Sequence, residues 1–189
     1  MLADITDQKE KVRQLEQEIQ MDLFTGLLNK TAIEHYGGRK LEELQRGNFL
    51  AMLILDMDDF KNINDNFGHP VGDYVLKEVA DIMRQKAPAR SRIGRMGGDE
   101  FIVLLLTDSL SAFKKYADEL IREVSRIRWK GKDVGVSCTI GISAADSNQW
   151  TYSKLYKAAD DALYQAKHKG KKQICCGGQY FQETMRSDI

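Results

Sequence analysis

The chain has no excess of charge: 28 lysines and arginines are matched by 28 aspartates and glutamates. No global field therefore marks nucleic acid or an anionic membrane as its partner. Cysteine is scarce as well, with three in 189 residues. Cys138 sits in a strand-like run and reads as a small core residue. Cys175 and Cys176 are adjacent, an arrangement that seldom forms a structural pair, and no metal-ligand spacing is present. A reducing cytosol is the expected compartment. No stretch reads as a signal peptide or has the length and apolarity of a membrane span, which says nothing of a longer, membrane-anchored parent. What remains, 42% hydrophobic and 30% charged residues, is ordinary globular composition for one domain with extensions.

Two apolar runs meet acids at their ends. Phe101 to Leu106 reads as a buried strand and is preceded by Gly97-Gly98-Asp99-Glu100. Ile93 and Gly94 can pair back on it, because adjacent glycines adopt the positive φ that tight hairpin turns demand. The tip of this hairpin then displays Asp99 and Glu100. Ala51 to Leu55 likewise runs into Asp56-Met57-Asp58, with Asp56 and Asp58 on one face if the extended backbone persists. A solvated acidic turn would account for one such tip alone. Two buried strands both ending in carboxylates suit a divalent cation, since Mg²⁺ takes hard oxygens and typically one or two carboxylates beside substrate phosphates.

Helical periods alternate with further strand-like runs. Val12, Leu15 and Ile19 form the seam of a short two-helix coiled coil. Asn29 is the expected cap of a helix that Gly37-Gly38 breaks, with Leu41 and Leu44 continuing a helical period. Phe60, Ile63 and Phe67 make one apolar helix face and leave Lys61 and Asn64 on another. His69 and Asp73 flank a Pro-Val-Gly turn into the next helix, and residues 84–92 read as a basic connector. A long amphipathic helix carries Phe113 to Ile127, Trp129 to Asp133 is a turn, and Val134 to Ser143 a strand. The helix from Tyr152 to Lys167 has Gly170 as its stop. This order suggests a mixed sheet with helices packed over it, an α/β or α+β sandwich.

Five blocks in this order resemble the GGDEF domain, the diguanylate cyclase family. They are Asp22 to Asn29, Asp56 to Asp65, Gly68 to Asp73, Gly97 to Phe101 and Ala162 to Lys167, within about residues 22–174. The resemblance implies a mainly antiparallel central sheet surrounded by helices, like the palm of nucleotide cyclases and polymerases. It implies a reaction joining two GTP molecules into cyclic di-GMP with loss of two pyrophosphates. Each domain holds one GTP, so a homodimer with facing sites is implied. Asp56, Asp99 and the main-chain carbonyl of Met57 are the implied ligands of Mg²⁺, with Mn²⁺ as a substitute. Asp99 is also the implied acceptor of the 3′-hydroxyl proton, and Glu100 a supporting carboxylate.

The same resemblance assigns phosphate contacts to Arg95, Lys61, Lys167 and Lys171. The family usually has arginine at the last position, and lysine lacks its bidentate fork. Lys167 and Lys171 face the same phosphates if the helix continues through Gly170. Asn64 and Asp73, with His69 nearby, are the implied guanine clamp. A carboxylate accepts from guanine N1 and N2, a donor set adenine lacks, and Asp73 in place of a minority serine favours a guanine-only product.

Residues 1–21 are expected to form a signalling helix, residues 22–176 the catalytic domain and residues 177–189 a loose tail. Ala3 to Lys9 resembles the closing segment of a PAS domain, which implies an upstream sensor. The alternative function is a catalytically silent GTP- or cyclic-di-GMP-binding regulatory module. Such family members usually damage the Gly-Gly-acid-Glu-Phe run or the metal aspartate, and both are intact here. A dimerisation domain alone leaves the acids and cations unexplained. The inhibitory Arg-x-x-Asp of many members aligns with Pro88 and Ser91, so weak or no product inhibition through that site is expected.

Overall fold

The computed structural model describes residues 20–177. The expected signalling helix, apart from its last residues, and the tail beyond residue 177 lie outside the described residues. Five strands make the central sheet: β1 (Phe49–Met57), β2 (Arg92–Gly97), β3 (Glu100–Thr107), β6 (Cys138–Ala145) and β7 (Ile174–Cys176), in the order β2-β3-β1-β6-β7. Every pairing is antiparallel except β6 with β7. The short pair β4 (Arg128–Trp129) and β5 (Lys132–Asp133) stands apart. It turns through Lys130 and Gly131, both at positive φ, as a two-residue hairpin of this kind requires.

Strand β1 is apolar on both faces because helices cover both. Leu53, Leu55 and Met57 belong to one core with α3 (His69–Lys86) and α4 (Ser111–Val124). Leu50, Met52 and Ile54 belong to a second core with α1 (Lys30–Glu42) and α5 (Tyr152–His168). The short α2 (Phe60–Phe67) packs beside α3. The result is an α+β sandwich whose middle strands β1 and β6 are the most buried. Among the described residues no helix is long and apolar enough to cross a membrane.

Several local expectations are corrected. Helix α1 is capped by Asn29, whose side chain accepts from the Ala32 amide, but it runs unbroken through Gly37 and Gly38. Gly37 is buried there, and a Cβ on it would come within 2.6 Å of the Tyr152 ring. Close packing outweighs the cost of about 1 kcal/mol that a helical glycine carries. Helix α3 extends through Lys86 and takes in residues assigned to the connector, stopping at Ala87 before Pro88. Strand β6 begins at Cys138, so Val134 and Val136 are buried without belonging to it. The stop expected at Gly170 stands: helix α5 ends at His168, and Gly170 follows at positive φ.

Candidate active site

The ends of β1 and of the β2–β3 hairpin meet at one edge of the sheet. Asp56 stands opposite Glu100 on one side and Thr139 on the other. The hairpin turns at Gly98 and Asp99, with Gly97 and Gly98 both at positive φ and a bulge between Arg95 and Gly97. The Met57 amide donates to the Asp99 carbonyl at 3.3 Å, which fastens the turn to the end of β1. Main chain and hydrogen bonding thus bring Asp56, Met57 and Asp99 together.

Burial, and then the negative charge of Asp56, hold the Asp99 carboxyl above the ordinary aspartate range, against the opposing pull of Lys167 and Arg95. Lys167 reaches from α5 to set its Nζ 2.7 Å from Asp56 Oδ1. A partly buried carboxyl held beside a second carboxylate forms a site that a divalent cation relieves. Among the described residues no cluster of three or more metal-binding side chains occurs. A cation here would take two carboxylates and complete its shell with main-chain, water or substrate oxygens, the pattern that suits Mg²⁺. The residues present fit such an ion.

Asp58 does not join them. The chain leaves the sheet after Met57, and Asp58 is buried, accepting from Ser137 Oγ at 3.0 Å, Thr139 Oγ1 at 2.6 Å and the Lys172 amide at 3.3 Å. Its carboxylate pins β6 and the segment after α5 to the end of β1. The extended backbone on which a shared face of Asp56 and Asp58 depends ends at Met57, and Asp59 beyond it lies in the left-handed region. Glu100, beside Asp56 in the ladder, is held from α5, where its Oε1 accepts from the Tyr156 hydroxyl at 2.7 Å. Burial and this carboxylate push the Tyr156 phenol above the ordinary tyrosine value, so it stays a donor. No spacing in the sequence connects position 156 with position 100.

Arg95 is committed to the protein. Its Nε and Nη2 donate to the Gly98 carbonyl at 3.0 and 2.7 Å, its Nη1 to Asp22 at 3.4 Å, and its guanidinium lies over the Phe24 ring. Thr25 and Arg95 outweigh burial to hold the Asp22 carboxyl below its usual range. Lys171 sits at positive φ beyond the end of α5 and grips both oxygens of Asp59, at 2.7 and 2.8 Å. Lys167 and Lys171 are therefore not one turn apart on a shared helix, and they address different acids.

The α2–α3 corner brings Asn64 to Asp73. A Cβ on buried Gly72 would lie 2.0 Å from Asn64 Oδ1, so the Asn64 amide rests on the backbone next to Asp73. Asp73, His69 and Lys61 are exposed around it.

The family model described as diguanylate cyclase, GGDEF domain, matches residues 19–173. Diguanylate cyclase DgcP of Pseudomonas aeruginosa is 35% identical over 156 residues, which cover 81% of this chain and 23% of that protein. Diguanylate cyclase DosC of Escherichia coli is 33% identical over 161 residues, covering 83% and 35%. The chain thus spans well under half the length of these relatives. The crystal structure of the GGDEF domain of YfiN (TpbB) from Pseudomonas aeruginosa superposes with a TM-score of 0.75 at 34% identity, covering 82% of this chain and 99% of that one. The coiled coil and GGDEF domain of DgcB from Caulobacter crescentus, solved in complex with c-di-GMP, gives 0.78 at 25% identity, covering 93% and 95%. Sheet order, acidic hairpin and sequence match agree, and the chain belongs to the diguanylate cyclase GGDEF-domain family.

Proposed function

We propose that this domain is a diguanylate cyclase, condensing two GTP molecules into cyclic di-GMP and two pyrophosphates as a homodimer with Mg²⁺. The observation that carries the reading is the Asp56–Asp99 pair, gathered at the strand ends with Lys167 beside it. Asp56, Asp99 and the Met57 carbonyl would hold the ion, and Mn²⁺ is expected to substitute. Bound there, the ion supplies charge neutralisation at the reacting phosphate and the departing pyrophosphate. Asp99 is assigned as acceptor of the attacking 3′-hydroxyl proton, for which a raised carboxyl is better suited than an ordinary one. Lys167 and Lys61 are assigned to the phosphates, and Lys171 to the same end of the site, released from Asp59 when substrate arrives. Arg95 acts by bracing the turn that presents Asp99.

Asn64 and Asp73 are assigned to the guanine edge, with His69 at its rim. Gly72 makes that clamp testable. An alanine Cβ there displaces the end of a flexible side chain, Asn64 Oδ1, so the clamp suffers before the fold does. Gly72→Ala is expected to raise KM for GTP about tenfold, the worth of one displaced hydrogen-bonding group, with little change in Tm. An unchanged KM would remove Asn64 from the assignment.

The deciding assay incubates the dimeric protein with GTP and Mg²⁺ and identifies the product by mass. Cyclic di-GMP is the expected product. A dimer that binds GTP and forms no dinucleotide is the silent regulatory module instead.

A further inference from the structure

Glu100, the second acid of the hairpin, is held from outside the hairpin. Tyr156 Oη donates to its Oε1 at 2.7 Å in a partly buried setting. Glu100 stands opposite Asp56 in the β1–β3 ladder, so this bond acts directly beside the carboxylate pair. Behind it lies a built support. The Tyr156 ring stacks on the Tyr152 ring with centroids 6.3 Å apart and planes at 26°. Tyr152 in turn fills the notch that Gly37 leaves in α1. A rigid α1–Tyr152–Tyr156 column therefore ends on the carboxylate.

The two tyrosines differ in what their hydroxyls do. Among the described residues the buried Tyr152 hydroxyl has no hydrogen-bond partner, whereas the Tyr156 hydroxyl is directed at Glu100. Stacking and burial ask only for a ring at position 156, so phenylalanine would serve the core equally well. The hydroxyl has its one use in restricting a long, otherwise mobile carboxylate to a single orientation, with Oε2 left to accept elsewhere. Groups that orient a site's charged residues in this way carry much of its activity.

We propose that Tyr156 is a positioning residue for the cyclase reaction, fixing Glu100 in the orientation the reaction uses. The inference rests on the cyclase reading above. It is tested by GTP kinetics on Tyr156→Phe, with Tyr152→Phe as a matched control, at equal dimer concentration and saturating Mg²⁺. Tyr156→Phe is expected to lower kcat about tenfold while KM for GTP and Tm stay close to wild type. Tyr152→Phe, which deletes a hydroxyl with no partner among the described residues, is expected to keep wild-type kcat with an equal or higher Tm. In a Glu100→Ala background, Tyr156→Phe should add no further loss, because the group it acts through is gone. The role is overturned by an unchanged or raised kcat in Tyr156→Phe, by a change confined to KM, or by a loss of equal size in the Glu100→Ala background. A wild-type protein that makes no cyclic di-GMP overturns the cyclase reading and this role with it. An active wild type matched by Tyr156→Phe overturns the positioning role alone.

Discussion

Asp56→Asn and Asp99→Asn are each expected to lower kcat on the order of 10³-fold while leaving a folded protein. Several kcal/mol of transition-state stabilisation depend on a cation held by these two groups, and each 1.4 kcal/mol is a factor of ten. Neither side chain is part of the core. Asp56 is about one-fifth exposed at the end of β1, and Asp99 occupies the hairpin turn. The two variants should differ in stability. Asp99 carries a folded-state pKa above its unfolded value, chiefly from burial and then from Asp56. A carboxyl raised in this way favours the fold while protonated and disfavours it once pH has risen through the folded value. Asp99→Asn removes that penalty, so its Tm at neutral pH should equal or exceed that of the wild type. Asp56→Asn also relieves the repulsion but loses the ion pair with Lys167, so its Tm should gain less. Product formation and thermal unfolded fraction, measured on the same samples, check both statements. Turnover within tenfold of wild type in either variant would sink the assignment of the pair.

Much of this frame is legible in the sequence, for reasons that are local. β1 and β3 announce themselves because strands buried on both faces are apolar at every position, and each ends in acids that a core would not tolerate. Gly97 and Gly98 mark the hairpin because both take positive φ. Asn29 marks a helix start because its side chain bonds a backbone amide three residues on. The readings that fail depend on partners distant in sequence. Gly37 looks like a helix breaker until the Tyr152 ring is seen against it. Asp58 looks like a companion of Asp56 at the cation until Ser137 and Thr139, some eighty residues on in the sequence, consume its carboxylate. Lys171 looks like a helical neighbour of Lys167, yet the chain leaves the helix before it and binds Asp59. The bond from Tyr156 to Glu100 leaves no trace in spacing or composition, because it joins α5 to the hairpin only once both lie on the same sheet. Motif residues are thus readable one by one, and what holds them is not.

Gly141→Ala is expected to lower Tm by about 10 °C and to cost activity even where the domain remains folded. Gly141 lies in β6, paired with Ile54 of β1 on one side and Cys175 of β7 on the other. Helix α5 crosses directly over it. A Cβ built there would stand 2.2 Å from the Ala159 carbonyl oxygen and 2.4 Å from the Leu163 amide nitrogen, both backbone atoms that cannot swing aside. The neighbouring positions on that face, Thr139, Ser143 and Ala145, are small too, and Ser143 Oγ donates to the Leu155 carbonyl at 2.8 Å. Close approach of helix and strand is therefore built into β6. Alanine forces α5 off the sheet and loosens Leu155, Ala159 and Leu163 in the second core, an overpacking cost of about 3 kcal/mol. At roughly 2–4 °C per kcal/mol for a domain of this size, Tm falls by about 10 °C. The same displacement carries Lys167 away from Asp56 and Tyr156 away from Glu100, and a shift of about 1 Å at such groups can cost on the order of 10²-fold in rate. Gly38→Ala is the matched control. It lies in α1, no atom of the described residues stands within 4 Å of its Cβ position, and alanine there should stabilise by up to about 1 kcal/mol with turnover unchanged. Thermal denaturation and kcat measured well below the lowered Tm separate the two effects. A Gly141→Ala protein with wild-type Tm would show that α5 can shift without penalty, and wild-type kcat at low temperature would show that its two side chains do not depend on that close contact.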